Sequence, residues 1–159
     1  MRITIRKASI NDTSLIVSFI NQLAEYEKLL HEVEVQKKDI ERDLFCEHPR
    51  VFCEIAEIND EPVGFALYYY TYSTFRGRHG IWLEDLYVDP KARGSGAGKA
   101  LMAFLAQKCQ LQDLARLEWW VLDWNKPAIE FYNSIGAKKQ SEWSVCRIDG
   151  VELENLAKR

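Results

Sequence analysis

Residues 93–98 read Arg-Gly-Ser-Gly-Ala-Gly, three glycines in six positions, and they separate two segments of different periodicity. Residues 80–88 before them are strand-like and stop at Asp89-Pro90. Residues 96–112 after them put Leu101, Phe104, Leu105 and Cys109 on one helical stripe. A strand that turns through glycine into an amphipathic helix implies an α/β layer structure. It also predicts a site. The first amides of a helix lack intrahelical acceptors, the helix dipole is positive there, and glycines allow close backbone approach, so the turn suits a phosphate-like anion. The spacing excludes two common nucleotide turns. A P-loop needs glycine where Arg93 stands and a hydroxyl where Ala100 stands, and the dinucleotide fingerprint puts its last glycine at Lys99.

The flanking chain supplies the other elements. Residues 2–7 alternate, with Ile3 and Ile5 on one face, and predict a first strand. A helix follows, capped by Asn11 or Asp12, with Leu15, Ile16, Phe19, Ile20 and Leu23 on its stripe. A weaker helix spans about 36–45, strands span 51–58 and 63–72, and Asn59-Asp60 makes the hairpin turn between them. Beyond the glycine turn and its helix, a strand is expected over 116–122, and a short helix over 125–135 closed by Gly136. A last strand over about 139–148 and a C-terminal helix complete the chain. No repeat or linker interrupts this order, so residues 1–159 read as one domain.

Composition narrows the function classes. A net charge of -3 gives no reason to expect nucleic acid as a partner. No apolar run approaches the ~20 residues of a membrane helix, and charges occupy the opening stretch where a signal peptide would be apolar, so a soluble, cytoplasmic protein is expected. Cys46, Cys53, Cys109 and Cys146 form no CxxC pair and read as reduced, mostly buried thiols. His31, His48 and His79 never stand at HxxxH or HExxH spacing, so no metal is expected.

Arg93, Gly96 and Gly98 fit (Q/R)xxGx(G/A), the pyrophosphate turn of the GNAT superfamily of N-acetyltransferases, and the strand and helix around it resemble that family's central pair. Leu-Glu-Asp-Leu-Tyr-Val at 83–88 and Trp-Asn-Lys-Pro-Ala-Ile-Glu-Phe-Tyr at 124–132 extend the likeness to the spermidine/spermine acetyltransferase group, from about Ile5 to the C-terminal helix. Within that group, residues 23–29, 72–78 and 121–125 are more similar to the thialysine N-acetyltransferases. The resemblance implies a mixed, twisted central sheet with helices on both faces, splayed at the strand that ends in Asp89-Pro90. It implies direct transfer of acetyl from acetyl-CoA to a primary amine of a small basic molecule, in a ternary complex. It also implies a homodimer, with the last strand and C-terminal helix near the contact.

Particular residues then acquire roles. Tyr132, on a short helix seven residues after Asn125, is by its chemistry a core aromatic or a ligand contact. The resemblance makes it the general acid for the departing thiolate. Glu84 alternates with Trp82, Leu86 and Val88, so an unbulged strand would desolvate its carboxyl, raise its pKa and suit it to accept a proton. Asp85 would then face the other way as a packing carboxylate. A bulge, common at this place in the family, leaves that facing open, as does an ion-paired or solvated Glu84. By resemblance Glu84 contacts the ammonium group and is the base, directly or through water.

The cofactor and acceptor contacts follow from the same likeness. The backbone of Leu86, Tyr87 and Val88 would receive the pantetheine arm, while their side chains also fit a core. Arg93, Gly94, Ser95, Gly96, Ala97, Gly98 and Lys99 would hold the diphosphate. Asn125, Lys126 and Ala128 would touch the same cofactor, and Asn125 fits a plain N-cap equally well. Residues 25–47 carry eight acids against four bases, which attracts a cation, although a solvated helical face explains most of them. Tyr26 and Glu27 stand where the similar enzymes touch the amine. Glu118, Trp119 and Trp120 join them as acceptor candidates, the tryptophans as a cation-π box or as core. Three departures weaken a polyamine's far contact: Phe75 replaces a tryptophan, the loop before Trp143 is short, and its acids are thinned to Glu142. Two rival readings are an acyl-CoA sensor without turnover and a protein lysine acetyltransferase.

Overall fold

Four strands follow one another as antiparallel neighbours: β1 (Ile3–Lys7), β2 (Val51–Ile58), β3 (Glu61–Ser73) and β4 (Arg78–Val88). A fifth, β5 (Leu117–Glu118), pairs in parallel with β4 at the edge, so the sheet is mixed and five-stranded. The computed structural model describes residues 1–158, which divide into a unit Met1–Trp120 and a second unit from Val121 onward. Asn59 and Asp60 both take positive φ (51° and 68°), the conformation a two-residue hairpin requires.

The first unit carries α1 (Thr13–Tyr26), α2 (Lys37–Leu44) and α3 (Ala97–Leu111). Cys53 pairs with Leu67 and Ile55 with Phe65, so these side chains share one sheet face. They are buried with Ile16 and Phe19 of α1, Ile40 and Leu44 of α2, and Tyr87. Phe19 packs its ring 5.6 Å from Phe65 and 5.5 Å from Tyr87. The opposite face carries Glu54 and Tyr68, over which α3 lays Lys108, its ammonium 3.7 Å from Glu54 and 5.7 Å from the Tyr68 ring centre. Glu54 is buried and accepts the Tyr68 hydroxyl at 3.0 Å, so a charge inside the fold has both an ion partner and a hydrogen bond. Helices therefore cover both faces, as expected.

Asp12 stands at the N-cap of α1, as expected, but its side chain bonds outside that helix. It accepts from the Ser9 amide at 2.7 Å, closing the 3-10 turn Ile10–Asp12 that leads into α1, and it pairs with Arg6, which also holds Glu57. The guanidinium keeps the Asp12 carboxyl well below the usual range, at about 2.

One irregularity shapes the functional edge. The β3–β4 ladder runs through Phe65–Tyr87 and Leu67–Asp85, then resumes at Tyr68–Leu83, so Glu84 is an extra residue in a β-bulge. Paired residues share a face. Leu83 therefore lies with Tyr68 on the α3 side, while Asp85 lies with Leu67 on the α1 side. The expected strand over 116–122 is only two residues long, pairing Ile81 with Leu117 and Trp82 with Glu118. A bulge sharpens local twist, and the parallel ladder stops just before it. From Leu83 to Val88, β4 pairs with β3 alone among the described residues.

The second unit contains α4 (Lys126–Ser134) and α5 (Gly150–Ala157), and Gly136 closes α4 at φ 87°, as its position predicts. The strand expected over 139–148 is absent. Its residues are exposed and have no ladder partner, and strand-favouring side chains make a strand only when a second strand takes up the backbone groups. Cys53 and Cys109 are buried and Cys46 and Cys146 exposed, all as free thiols, which corrects the expectation of mostly buried cysteines.

Candidate functional site

The glycine turn has the conformation its composition requires. Asp89 accepts from the Lys91 amide at 2.8 Å and starts the 3-10 turn Pro90–Ala92. Gly94 (φ 80°) and Gly96 (φ 97°) then take left-handed conformations that other residues adopt only with strain, and Gly96 caps α3. The first bond from the helix runs from the Ala100 amide to the Gly96 carbonyl at 2.9 Å, and the Ala97 amide turns to the Ser95 hydroxyl at 3.3 Å. The Gly98 and Lys99 amides belong to the first turn, whose N–H groups have no acceptor inside the helix. With exposed Lys99 beside them, they fit a diphosphate.

The bulge assembles the acidic part of the site. Glu84 is exposed and its Oε2 accepts the Trp82 indole N–H at 3.1 Å; the facing left open by the sequence is decided by the bulge, and the desolvation of an unbulged strand does not occur. The bulge moves that property to its neighbour. Asp85 is pushed up to about 7, first by burial and then by the negative charges of Glu84 and Glu27. Burial alone raises Glu27, at the end of α1. Tyr69, opposite Trp82 in the ladder, is also raised, by burial and then by Glu84. The Trp82 ring meets Trp120 edge-on at 5.1 Å, which gives this acidic patch an aromatic flank. Asp85 and Trp82 were missed as site residues, because the signal that exposes them is a register shift rather than a motif.

Other candidates divide between the two units. Tyr26 lies under the Arg93 guanidinium, 4.7 Å from ring centre to carbon. Tyr87 points its side chain into the α1 core and donates its hydroxyl to Gln22 at 2.8 Å, while Leu86 and Val88 sit half-buried on the stretch of β4 that β5 does not pair. Glu118 is tied to Arg116 at 2.7 Å, an ion pair that lowers its call on an external cation. Trp119 is half-buried and Trp120 exposed. In the second unit, buried Asn125 accepts from the Ala128 amide at 3.3 Å and caps α4, with Lys126 and Pro127 opening the helix. Tyr132 sits half-buried on α4, its ring 5.3 Å from Phe131.

Residues 20–137 match the acetyltransferase (GNAT) family model, a span that includes the bulge, the glycine turn and α4. The chain belongs to the GNAT family of acetyltransferases. It is 37% identical to thialysine N-epsilon-acetyltransferase of Bos taurus, across 98% of this chain and 97% of that protein. It is 33% identical to spermidine/spermine N(1)-acetyltransferase-like protein 1 of Homo sapiens, across 96% of this chain but 23% of that longer protein. Among solved structures, an integron cassette protein from the mobile metagenome of V. cholerae superposes with a TM-score of 0.81 at 29% identity, covering 100% of this chain and 99% of that one. The GNAT assignment accounts for the mixed sheet, the glycine turn and the parted end of β4. Among the described residues no helix is long and apolar enough to cross a membrane.

Proposed function

We propose that this GNAT acetyltransferase moves acetyl from acetyl-CoA to a primary amine of a small basic molecule of the thialysine, lysine or diamine class, by direct transfer in a ternary complex. The observation that carries the proposal is the β4 bulge, which sets Asp85 on the α1 side next to exposed Glu84, where burial first and then the charges of Glu84 and Glu27 raise its carboxyl, with Trp82 and Trp120 as an aromatic flank. These carboxylates are strained as three negative charges and relaxed by an ammonium ion. The names of the relatives support the same substrate class.

In this proposal the first-turn amides of α3 and Lys99 hold the diphosphate, and the backbone of Leu86–Val88 receives the pantetheine arm. Asn125, Lys126 and Ala128 touch the cofactor from the second unit. The cofactor supplies an activated thioester. Glu27 and Asp85 draw the ammonium form in, with Tyr26 beside it, and Glu84 takes its proton to free the attacking nitrogen. Tyr132 donates a proton to the departing sulfur, and the second proton shed by the newly acylated nitrogen restores its hydroxyl. Both units would work as one N-acetyltransferase domain spanning residues 1–159.

A thiol-release assay tests the reading, with acetyl-CoA and a panel of thialysine, lysine, diamines, polyamines and peptides. Release is expected with small amines, and less with polyamines because Phe75 and the short loop before Trp143 remove contacts to a distant charge. Tight coenzyme A binding with no release would favour a sensor, and release with peptides alone a protein acetyltransferase.

The same proposal includes a homodimer. Trp143 (78% exposed), Val145 and Ile148 lie on a segment without a ladder partner, and Val151, Leu153 and Leu156 of α5 are exposed as well. A second copy would supply both the missing strand partner and apolar cover. Light scattering after size exclusion is expected to return twice the chain mass, and Trp143→Asp to shift the species toward the monomer. A monomer at assay concentration rejects this part.

A further inference from the structure

Arg93 belongs to the diphosphate turn by sequence, but its side chain leaves the turn. Its Nε donates to the Val88 carbonyl at 3.3 Å, and its guanidinium carbon stands 4.7 Å from the Tyr26 ring centre, inside the ~6 Å reach of a cation-π contact. Tyr26 is the last residue of α1 and Glu27 follows as its C-cap; Lys28 then reverses the chain at φ 63°. A helix end of this kind frays unless tertiary contacts hold it. Among the contacts that tie it to the end of β4 and the turn beyond are Tyr87 to Gln22 and Arg93 to Tyr26. The Arg93 charge is also felt at Tyr87, where it opposes the push from Asp89 and Glu25.

We propose that Arg93 is a positioning residue for the amine acceptor: it holds Tyr26, and with it the Tyr26–Glu27 end of α1, against the end of β4, while the turn's backbone amides take the diphosphate. This rests on the reading that the acceptor binds beside Tyr26 and Glu27. With Nε on the Val88 carbonyl and its face on the Tyr26 ring, the guanidinium is directed along the end of β4 toward α1 rather than back over the first turn of α3. The amides opened by Gly94 and Gly96 serve the anion without it. The acceptor end and the cofactor turn are thereby joined through one side chain.

Arg93→Gln, Tyr26→Leu and the double variant separate the roles. With thialysine as acceptor, each single variant is expected to raise the acceptor KM roughly three- to tenfold, the range of one cation-π contact. The double variant should be no worse than the worse single one. Coenzyme A affinity, by titration calorimetry, should stay within about twofold of the parent in Arg93→Gln, and Arg93→Lys should recover part of the loss. A weakened coenzyme A affinity with an unchanged acceptor KM would make Arg93 a phosphate ligand and overturn the proposal, as would additive effects at the two positions. Should the parent protein turn over none of the amines, the acceptor reading fails by itself. The Arg93–Tyr26 pairing is then decided by thermal unfolding of the same four proteins, where non-additive midpoints support it and additive ones reject it.

Discussion

Asp85→Asn is expected to stabilise the protein strongly at pH 8.5 and much less at pH 5. The Asp85 carboxyl titrates near 7 in the fold against an ordinary value of 3.8, so between those limits the folded chain holds a proton that the unfolded chain has released. Stability then falls as pH rises, because the native state binds more protons there. Below 3.8 both states are neutral and nothing is lost; above 7 both are charged and the full burial cost applies. One pH unit is worth about 1.4 kcal/mol, so the gain from asparagine at pH 8.5 should exceed that at pH 5 by roughly 2–3 kcal/mol. For a chain of this size that is about 4–12 °C in the unfolding midpoint. Equal gains at the two pH values would show that Asp85 is not desolvated as the bulge implies. The same substitution should weaken acceptor binding, since the charge that destabilises the fold is one that an ammonium ion neutralises.

Tyr132→Phe should lower turnover by roughly a hundredfold, the scale of general acid catalysis, with coenzyme A affinity nearly kept. Phenylalanine preserves the ring that packs beside Phe131 and removes only the hydroxyl, so α4 and its Asn125 cap should be undisturbed. The effect belongs to kcat rather than to either KM, because the proton moves only as the sulfur departs. Calorimetry with coenzyme A and steady-state rates with thialysine measure both sides. Unchanged turnover would take Tyr132 out of the acid role and leave the thiolate to depart without a donor.

Much of the first unit is legible in the sequence because its signals are local. Ile16 and Phe19 recur at helical spacing and are buried, Asn59-Asp60 fixes a two-residue turn, and Gly94 and Gly96 announce positive φ. What the sequence leaves open or misreads lies where the outcome depends on a partner. The facing of Glu84 was set by one residue inserted opposite Leu67 and Tyr68, and a single insertion reverses a pattern whose period is two. Residues 139–148 carry strand-favouring side chains at Trp143, Val145 and Ile148, but backbone pairing is not encoded in the segment itself. The short β5 has the same origin, since its length is decided by how β4 twists. Asp85 therefore escaped notice: its special property comes from burial and from two other carboxylates, none of which a motif records.

The distribution of thiols gives the chain a built-in ruler. Burial raises both Cys53 and Cys109 above the ordinary thiol range, which keeps them poorly nucleophilic, while exposed Cys46 lies in the first unit and exposed Cys146 in the second. A donor and an acceptor fluorophore can thus be attached to the unaltered protein, one on each unit. Their energy transfer would report, molecule by molecule, how far apart the two halves stand before and after the nucleotide thiol is added.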